Sequence, residues 1–100
     1  MLVLRQKMVS RPDKSDELMA ALAEIITPAR ATSGVINFDI ARDLLDTDSF
    51  IATAVYDDGG ALELQESLPE VDRVMAMLPD SLAAPPERTI FGASLDPTLV

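Results

Sequence analysis

Cysteine, histidine and tryptophan are absent from this 100-residue chain, and one tyrosine and three phenylalanines supply all of its aromatic rings. Without cysteine there are no disulfides and no thiolate chemistry. Without histidine neither a Ser-His-Asp nor a Cys-His relay can form, and the loss of both residue types excludes most zinc sites. Proton transfer is left to carboxylates, lysine, the tyrosine or water. The four scattered glycines make neither a dinucleotide fingerprint nor a phosphate loop. Positive charge is scarce as well: 8 Lys and Arg face 17 Asp and Glu, a net charge of −9, which repels phosphate backbones and argues against a nucleic-acid partner. No apolar run approaches the roughly 18 residues of a membrane helix, and "MLVLRQKMV" is cut by charges too early for a signal-peptide core, so the expected location is cytoplasmic, with no membrane partner.

What the chain does have is an apolar surplus. Apolar residues make up 48% of it against 25% charged, and the mean hydropathy is +0.18, too apolar for disorder and rich for one small solitary domain. A partner subunit is therefore expected. The basic residues lean toward the start, with Arg5, Lys7, Arg11 and Lys14 against Asp13 in the first fourteen positions, a pattern suited to neutralising acids on neighbouring strands.

Residues Met1 to Val9 alternate, with Leu2, Leu4 and Met8 on one side and Arg5 and Lys7 on the other, which predicts a first strand ended by "SRPD". From Ser15 the period changes: Leu18, Leu22, Ile25, Ile26 and Ala29 form one helical stripe, with Ser15 as the expected N-cap and Asp16 and Glu17 in the first turn. Pro28 lacks the amide that would bond Glu24, so a kink or a restart capped by Thr27 is expected there, with Gly34 stopping the helix. "VINFDIARD" alternates again, Ile36, Phe38 and Ile40 against Asn37 and Asp39, and predicts a second strand.

"LLDTD" turns the chain into a third strand, "SFIATAVY", whose two faces are both largely apolar. A single layer of helices covers one face, so a second subunit is expected to cover the other. "DDGG" ends this strand, with Asp58 able to cap a short helix "ALELQES"; Pro69 opens another helix with Val71, Val74, Met75, Leu78 and Leu82 along its stripe, and "ERTIFGAS" reads as the last strand. The order βαββαβ suits an α+β, ferredoxin-like fold with a four-stranded antiparallel sheet over residues 1–94 and a tail over 95–100 that includes Asp96 and Pro97. Asp43, Asp46 and Asp48 lack the glycine and glutamate of a calcium loop and are read as turn acids, so no metal is expected.

With "RPDKSDEL" entering the first helix, "TPARATSG" leaving it through Pro28, Arg30 and Gly34, and "INFDIARD" followed by "DTDSF" at the hairpin, the chain resembles the antibiotic biosynthesis monooxygenase family. That resemblance implies a homodimeric, dimeric α+β barrel assembly and oxygenation without a cofactor, in which the bound substrate's own anion donates an electron to dioxygen. Members often carry Glu-x-Trp at the end of the third strand and a His nine residues beyond the Trp; the corresponding places here hold Ala54, Tyr56 and Gln65. The heme-degrading branch uses Asn, Trp and His where this chain has Gln6, Tyr56 and Gln65, so the iron-binding imidazole is missing.

Tyr56, Gln65, Gln6 and Asn37 are accordingly the candidate substrate-binding residues, offering hydrogen bonds more than acid–base power, while no catalytic residue is assigned. The expected activity is that of a monooxygenase-like protein for a small aromatic or quinol-type molecule. The alternative is a homodimeric ligand-binding or accessory protein of the same fold without catalysis, which the loss of Glu, Trp and His favours. Arg30, at the end of the first helix, is read as an ion-pairing residue.

Overall fold

A computed structural model of the chain describes residues 1–95. Four strands and three helices follow one another as β1 (Leu2–Val9), α1 (Ser15–Arg30), β2 (Val35–Arg42), β3 (Ser49–Tyr56), α2 (Gly59–Glu66), α3 (Pro69–Ser81) and β4 (Glu87–Gly92). The strands form one antiparallel sheet in the order β2-β3-β1-β4. β1 and β2 therefore run parallel with β3 between them, so α1 is the crossover of the first βαβ unit, and α2 with α3 is the crossover of the second. This is the ferredoxin-like βαββαβ fold expected from the alternation of periods. The expected tail falls, from residue 96 onward, outside the described residues.

One face of the sheet carries the core. Leu4 and Met8 of β1, Phe38 of β2, and Phe50, Ala52, Ala54 and Tyr56 of β3 are buried against Leu18, Leu22, Ile25 and Ala29 of α1 and Val74 and Leu78 of α3. The period-2 and period-3.6 stripes of the sequence meet here, which is why each element was legible locally. On the opposite face the register aligns Asn37, Val55, Val3 and Phe91 in one row, Asp39, Thr53, Arg5 and Thr89 in the next, and Ala41, Ile51, Lys7 and Glu87 in a third. Val3, Ile51 and Val55 remain half-buried and Phe91 is 52% exposed.

Three local expectations are corrected. Ser15 is not a cap: a 3-10 turn over Pro12–Lys14 leads into α1, so the chain is already helical at Ser15, and its hydroxyl donates to the Thr47 carbonyl at 3.4 Å. Helix α1 continues through Pro28 to Arg30, with no restart at Thr27. Pro28 lies in the last turn, where it forfeits one intrahelical bond, and the Thr32 hydroxyl donates to its carbonyl at 2.9 Å. Ile36 does not join Phe38 and Ile40: Val35 pairs with Tyr56 and Asn37 with Val55, so Ile36 is the extra residue of a β-bulge and is 46% exposed, while Val35 packs on the core.

Other details follow the sequence closely. The Asp58 carboxylate accepts from the Ala61 amide at 3.0 Å and caps α2. Pro69 occupies the first turn of α3. Arg30 pairs with Asp39 at 3.0 Å and also donates to the Phe38 carbonyl, tying the end of α1 to β2.

Candidate functional site

Strand β3 and helix α2 are joined by a two-residue corner, Asp57 and Asp58, so the last residue of the strand and a residue in the second turn of the helix face each other. Those residues are Tyr56 and Gln65. Both are buried, and the Tyr56 hydroxyl donates to Gln65 Oε1 at 2.5 Å. With Oε1 so occupied, the Gln65 carboxamide nitrogen makes no hydrogen bond among the described residues.

Gln65 lines a cavity of about 70 Å³ between the sheet and the helices. Its walls are apolar over most of their extent, from Leu4, Met8, Ala52, Phe38 and Ile40 of the sheet to Leu22, Ile25, Val71, Val74 and Leu78 of the helices. The polar exceptions gather on one side: Gln6, Gln65, Glu66 and Arg88. Gln6 reaches this wall because its position on β1 stands opposite Ala52 of β3 on one side and Arg88 of β4 on the other. Arg88 grips Glu66 through two hydrogen bonds, Nη1 to Oε2 at 2.9 Å and Nη2 to Oε1 at 2.5 Å, so an ion pair bridges α2 and β4 beside the cavity. Beyond Met75 and Leu78, which line both spaces, a broader groove of about 490 Å³ runs along the end of α3 to Pro85 and Pro86.

The four candidate residues are thus distributed unevenly. Gln65 and Gln6 share the cavity wall; Tyr56 is packed behind Gln65 and holds it rather than lining the space; Asn37 pairs with Val55 on the far face of the sheet and is exposed. Glu66 and Arg88 escaped sequence reasoning. Arg88 is carried to the site by the pairing of β1 with β4, which joins residues more than eighty positions apart, and only the alternation within "ERTIFG" hinted at its side.

Burial, and after it the Glu66 carboxylate, push the Tyr56 phenol up to about 12, with Arg88 pulling the other way. The hydrogen bond to Glu66 in turn holds the Arg88 guanidinium above its ordinary range. At neutral pH Tyr56 is therefore a fixed donor and not a base. Because the folded state keeps this proton where the unfolded chain loses it near pH 10, the stabilising contribution is complete below pH 10 and disappears as pH rises to about 12. Holding the phenol proton from pH 10 up to about 12 corresponds to about 2–3 kcal/mol. Urea unfolding at pH 9, 10, 11 and 12 is expected to show that loss in the native protein and a much flatter profile in Tyr56→Phe; parallel profiles would remove the buried phenol from the account.

The chemistry open to this wall is hydrogen-bond donation from carboxamides and attraction by one guanidinium in a largely dry, apolar space. Among the described residues no cluster of three or more acids gathers to hold a metal ion, and no helix is long and apolar enough to cross a membrane.

Comparison with known proteins agrees with the fold. The profile of the family described as Antibiotic biosynthesis monooxygenase matches residues 1–76. The Mycobacterium tuberculosis protein Rv0793 superposes with a TM-score of 0.86 at 22% identity, over 96% of this chain and 97% of that one. PA3566 from Pseudomonas aeruginosa superposes with a TM-score of 0.85 at 20% identity, over 94% of each chain. At these identities the likeness concerns the fold. An uncharacterized Synechocystis sp. protein, sll1783, is 29% identical over 89 residues; they cover 89% of this chain, which spans 60% of the length of that relative.

Proposed function

The chain belongs to the antibiotic biosynthesis monooxygenase family, and from that premise we propose that it oxygenates a small aromatic or quinol-type molecule without metal or flavin, as a homodimer whose protomers each form a domain over residues 1–94. The observation that carries this reading is the apolar cavity with the Gln6 and Gln65 carboxamides on its polar side. A cofactor-free oxygenation requires the substrate to enter as, or become, its own phenolate or enolate. That anion passes an electron to dioxygen, the two radicals combine at a ring carbon that bears a hydrogen, and loss of water leaves this carbon as C=O, the water carrying away the second oxygen atom, the ring hydrogen and a hydroxyl proton.

The protein's part is to favour the anion and exclude water. The free Gln65 amide, oriented by Tyr56, and the Gln6 amide donate to the substrate oxygen, beside the Glu66–Arg88 ion pair at the rim. Apolar walls lower the local dielectric and strengthen those contacts. The space of about 70 Å³ is smaller than the several hundred Å³ of most ligand pockets, so the substrate extends past Met75, 56% exposed, into the adjoining groove.

The second reading is a homodimer that binds such a molecule and does no chemistry on it. It is favoured by Ala54, Tyr56 and Gln65 at the places of the family's Glu, Trp and His, and by the engagement of Glu66, the carboxylate on the cavity wall, in its two hydrogen bonds with Arg88.

Oxygen uptake with a panel of hydroquinones separates the two. The expected result is turnover in the native protein and a fall in kcat/KM of at least about tenfold in Gln65→Leu, the loss of one positioned neutral donor. Saturable binding without uptake selects the second reading, and neither binding nor uptake with any member of the panel defeats both.

A further inference from the structure

A second cationic group lies away from the cavity just described. Arg42, the last residue of β2, stands in register with Phe50 on the helix-facing side of the sheet, and its guanidinium carbon lies 4.9 Å from the centroid of that ring. Nη2 donates to Ser15 Oγ at 3.3 Å. Nε is enclosed and has no hydrogen-bond partner, and Arg42 makes no ion pair among the described residues, although acids outnumber bases 17 to 8 in the chain. Beside it lies a surface cleft of about 160 Å³ between α1 and β2, walled by Met19, Leu22, Ala23, Ile26, Ile40 and Phe50 and open to solvent past Met19, which is 43% exposed. Leu22 and Ile40 also wall the Gln65 cavity, so they separate the two spaces.

We propose that this cleft binds a small monocarboxylate with a compact apolar body, its carboxylate on the Arg42 guanidinium and its body between α1 and β2. A guanidinium that is partly stripped of water and lacks an acid of its own gains more from a carboxylate than an exposed one does, because its desolvation has already been met in folding. Phe50 holds the planar group in one orientation; with Nε enclosed and Nη2 on Ser15, Nη1 is the nitrogen without a partner among the described residues and is the donor offered to a carboxylate. Ser15 Oγ, already bonded to Nη2, supplies a further polar contact at the same end.

The walls decide the rest of the ligand. All side chains around the space apart from Arg42 are apolar, so the body of the ligand is hydrocarbon. A space of about 150 Å³ holds a benzene-sized group, which sets the part of the ligand seated in the cleft at about six carbons. The chain's net charge of −9 repels multiply charged anions, and this selects a single carboxylate over a phosphate or dicarboxylate. The site stands on its own residues and does not depend on the oxygenation reading.

Benzoate is a suitable probe and benzamide its uncharged counterpart. Titrations followed by the methyl resonances of Met19 and Ile26 and the ring resonances of Phe50 are expected to show saturable benzoate binding, with benzamide at least about tenfold weaker, the measure of one charge-assisted contact. Arg42→Met is expected to weaken benzoate by a similar factor. Ala23→Leu, which keeps the cation and fills the space, blocks binding and covers the case in which Arg42→Met is too unstable to measure. Equal affinity for benzamide, unchanged binding in either variant, absence of shifts at millimolar benzoate, or shifts confined to residues around Gln65 would each overturn the assignment.

Discussion

Val55→Asp is expected to split the homodimer proposed above into monomers. Among the described residues of the protomer no helix packs on the face of the sheet that carries Val55, where Val3, Val55 and Phe91 line up in one row and Ile51 belongs to another. A continuous apolar patch of this kind on a small acidic domain marks a surface that is covered in use. A twin molecule fits it because each protomer brings the same row, and a two-fold axis through the sheet sets like patch against like patch. The charged row beside it, with Asp39 and Arg5 at separate positions, gives such a pairing opposite charges to set its register.

An aspartate at Val55 puts a carboxylate from each protomer into the dry part of that contact. An unpaired buried charge costs several kcal/mol, so about 3 kcal/mol or more per dimer, a weakening of at least about a hundredfold, is the expected effect. Light scattering at micromolar concentration should give twice the protomer mass for the native protein and the protomer mass for the variant. Circular dichroism should be unchanged, since Val55 points away from the core. The same substitution at an exposed helix position, Ala20→Asp, should leave the mass at the dimer value. A native protein that stays monomeric at high concentration, or a Val55→Asp that stays dimeric, removes the outer face from the assembly.

How much of this was readable in advance depends on how local the determining forces are. Strands and helices announced themselves through single-element periods, and the cap at Asp58 and the helix start at Pro69 follow from backbone chemistry of two or three neighbouring residues. Ile36 was misplaced because a bulge is a property of two strands: whether Val35 or Ile36 meets Tyr56 depends on where β3 runs out, and the alternation within β2 does not contain that information. Ser15 was misread because its hydroxyl answers to Thr47, thirty-two residues away, rather than to its own helix.

The candidate site divides along the same line. Tyr56 and Gln65 are nine residues apart across a short corner, close enough for strand, turn and helix periods to bring them together, though not to tell which of the two faces the cavity. Asn37 alternates with Phe38, and that alone sends it to the other face. Arg88 could be placed only by pairing the last strand with the first, and Glu66 becomes meaningful only once Arg88 is beside it. The groups most remote in sequence thus supply the charge of the site, while the local ones supply its carboxamide geometry.

Gly34→Val is the substitution expected to cost the protomer most, and it reaches the site through packing. Gly34 has φ of +83°, a left-handed conformation that disfavours β-branched residues, and a Cβ built there falls 2.6 Å from the Ala61 Cβ. Ala61 is buried and belongs to the first turn of α2, whose start is held by Asp58. The Gly34 carbonyl also accepts from the Asp57 amide at 2.8 Å. Relief of the clash must therefore move either the α1–β2 connection or α2, and with α2 goes Gln65. The backbone term costs about 1–2 kcal/mol and the overlap a similar or larger amount, so a loss of about 3 kcal/mol is expected. In a domain of this size that lowers Tm by roughly 10–20 °C.

The two terms can be separated. Gly34→Ala keeps the strained φ and the clash, whereas Gly34→Ala with Ala61→Gly keeps only the former, so a thermodynamic cycle should return a coupling of about 1 kcal/mol or more in favour of the double variant. The clash also predicts a functional trace: Gly34→Ala should flatten the stability profile between pH 10 and 12, because displacing α2 loosens the burial of Tyr56 behind Gln65. A Gly34→Ala protein within about 0.5 kcal/mol of the native one, with its alkaline profile intact, would mean that the corner between α1 and β2 does not set the position of α2.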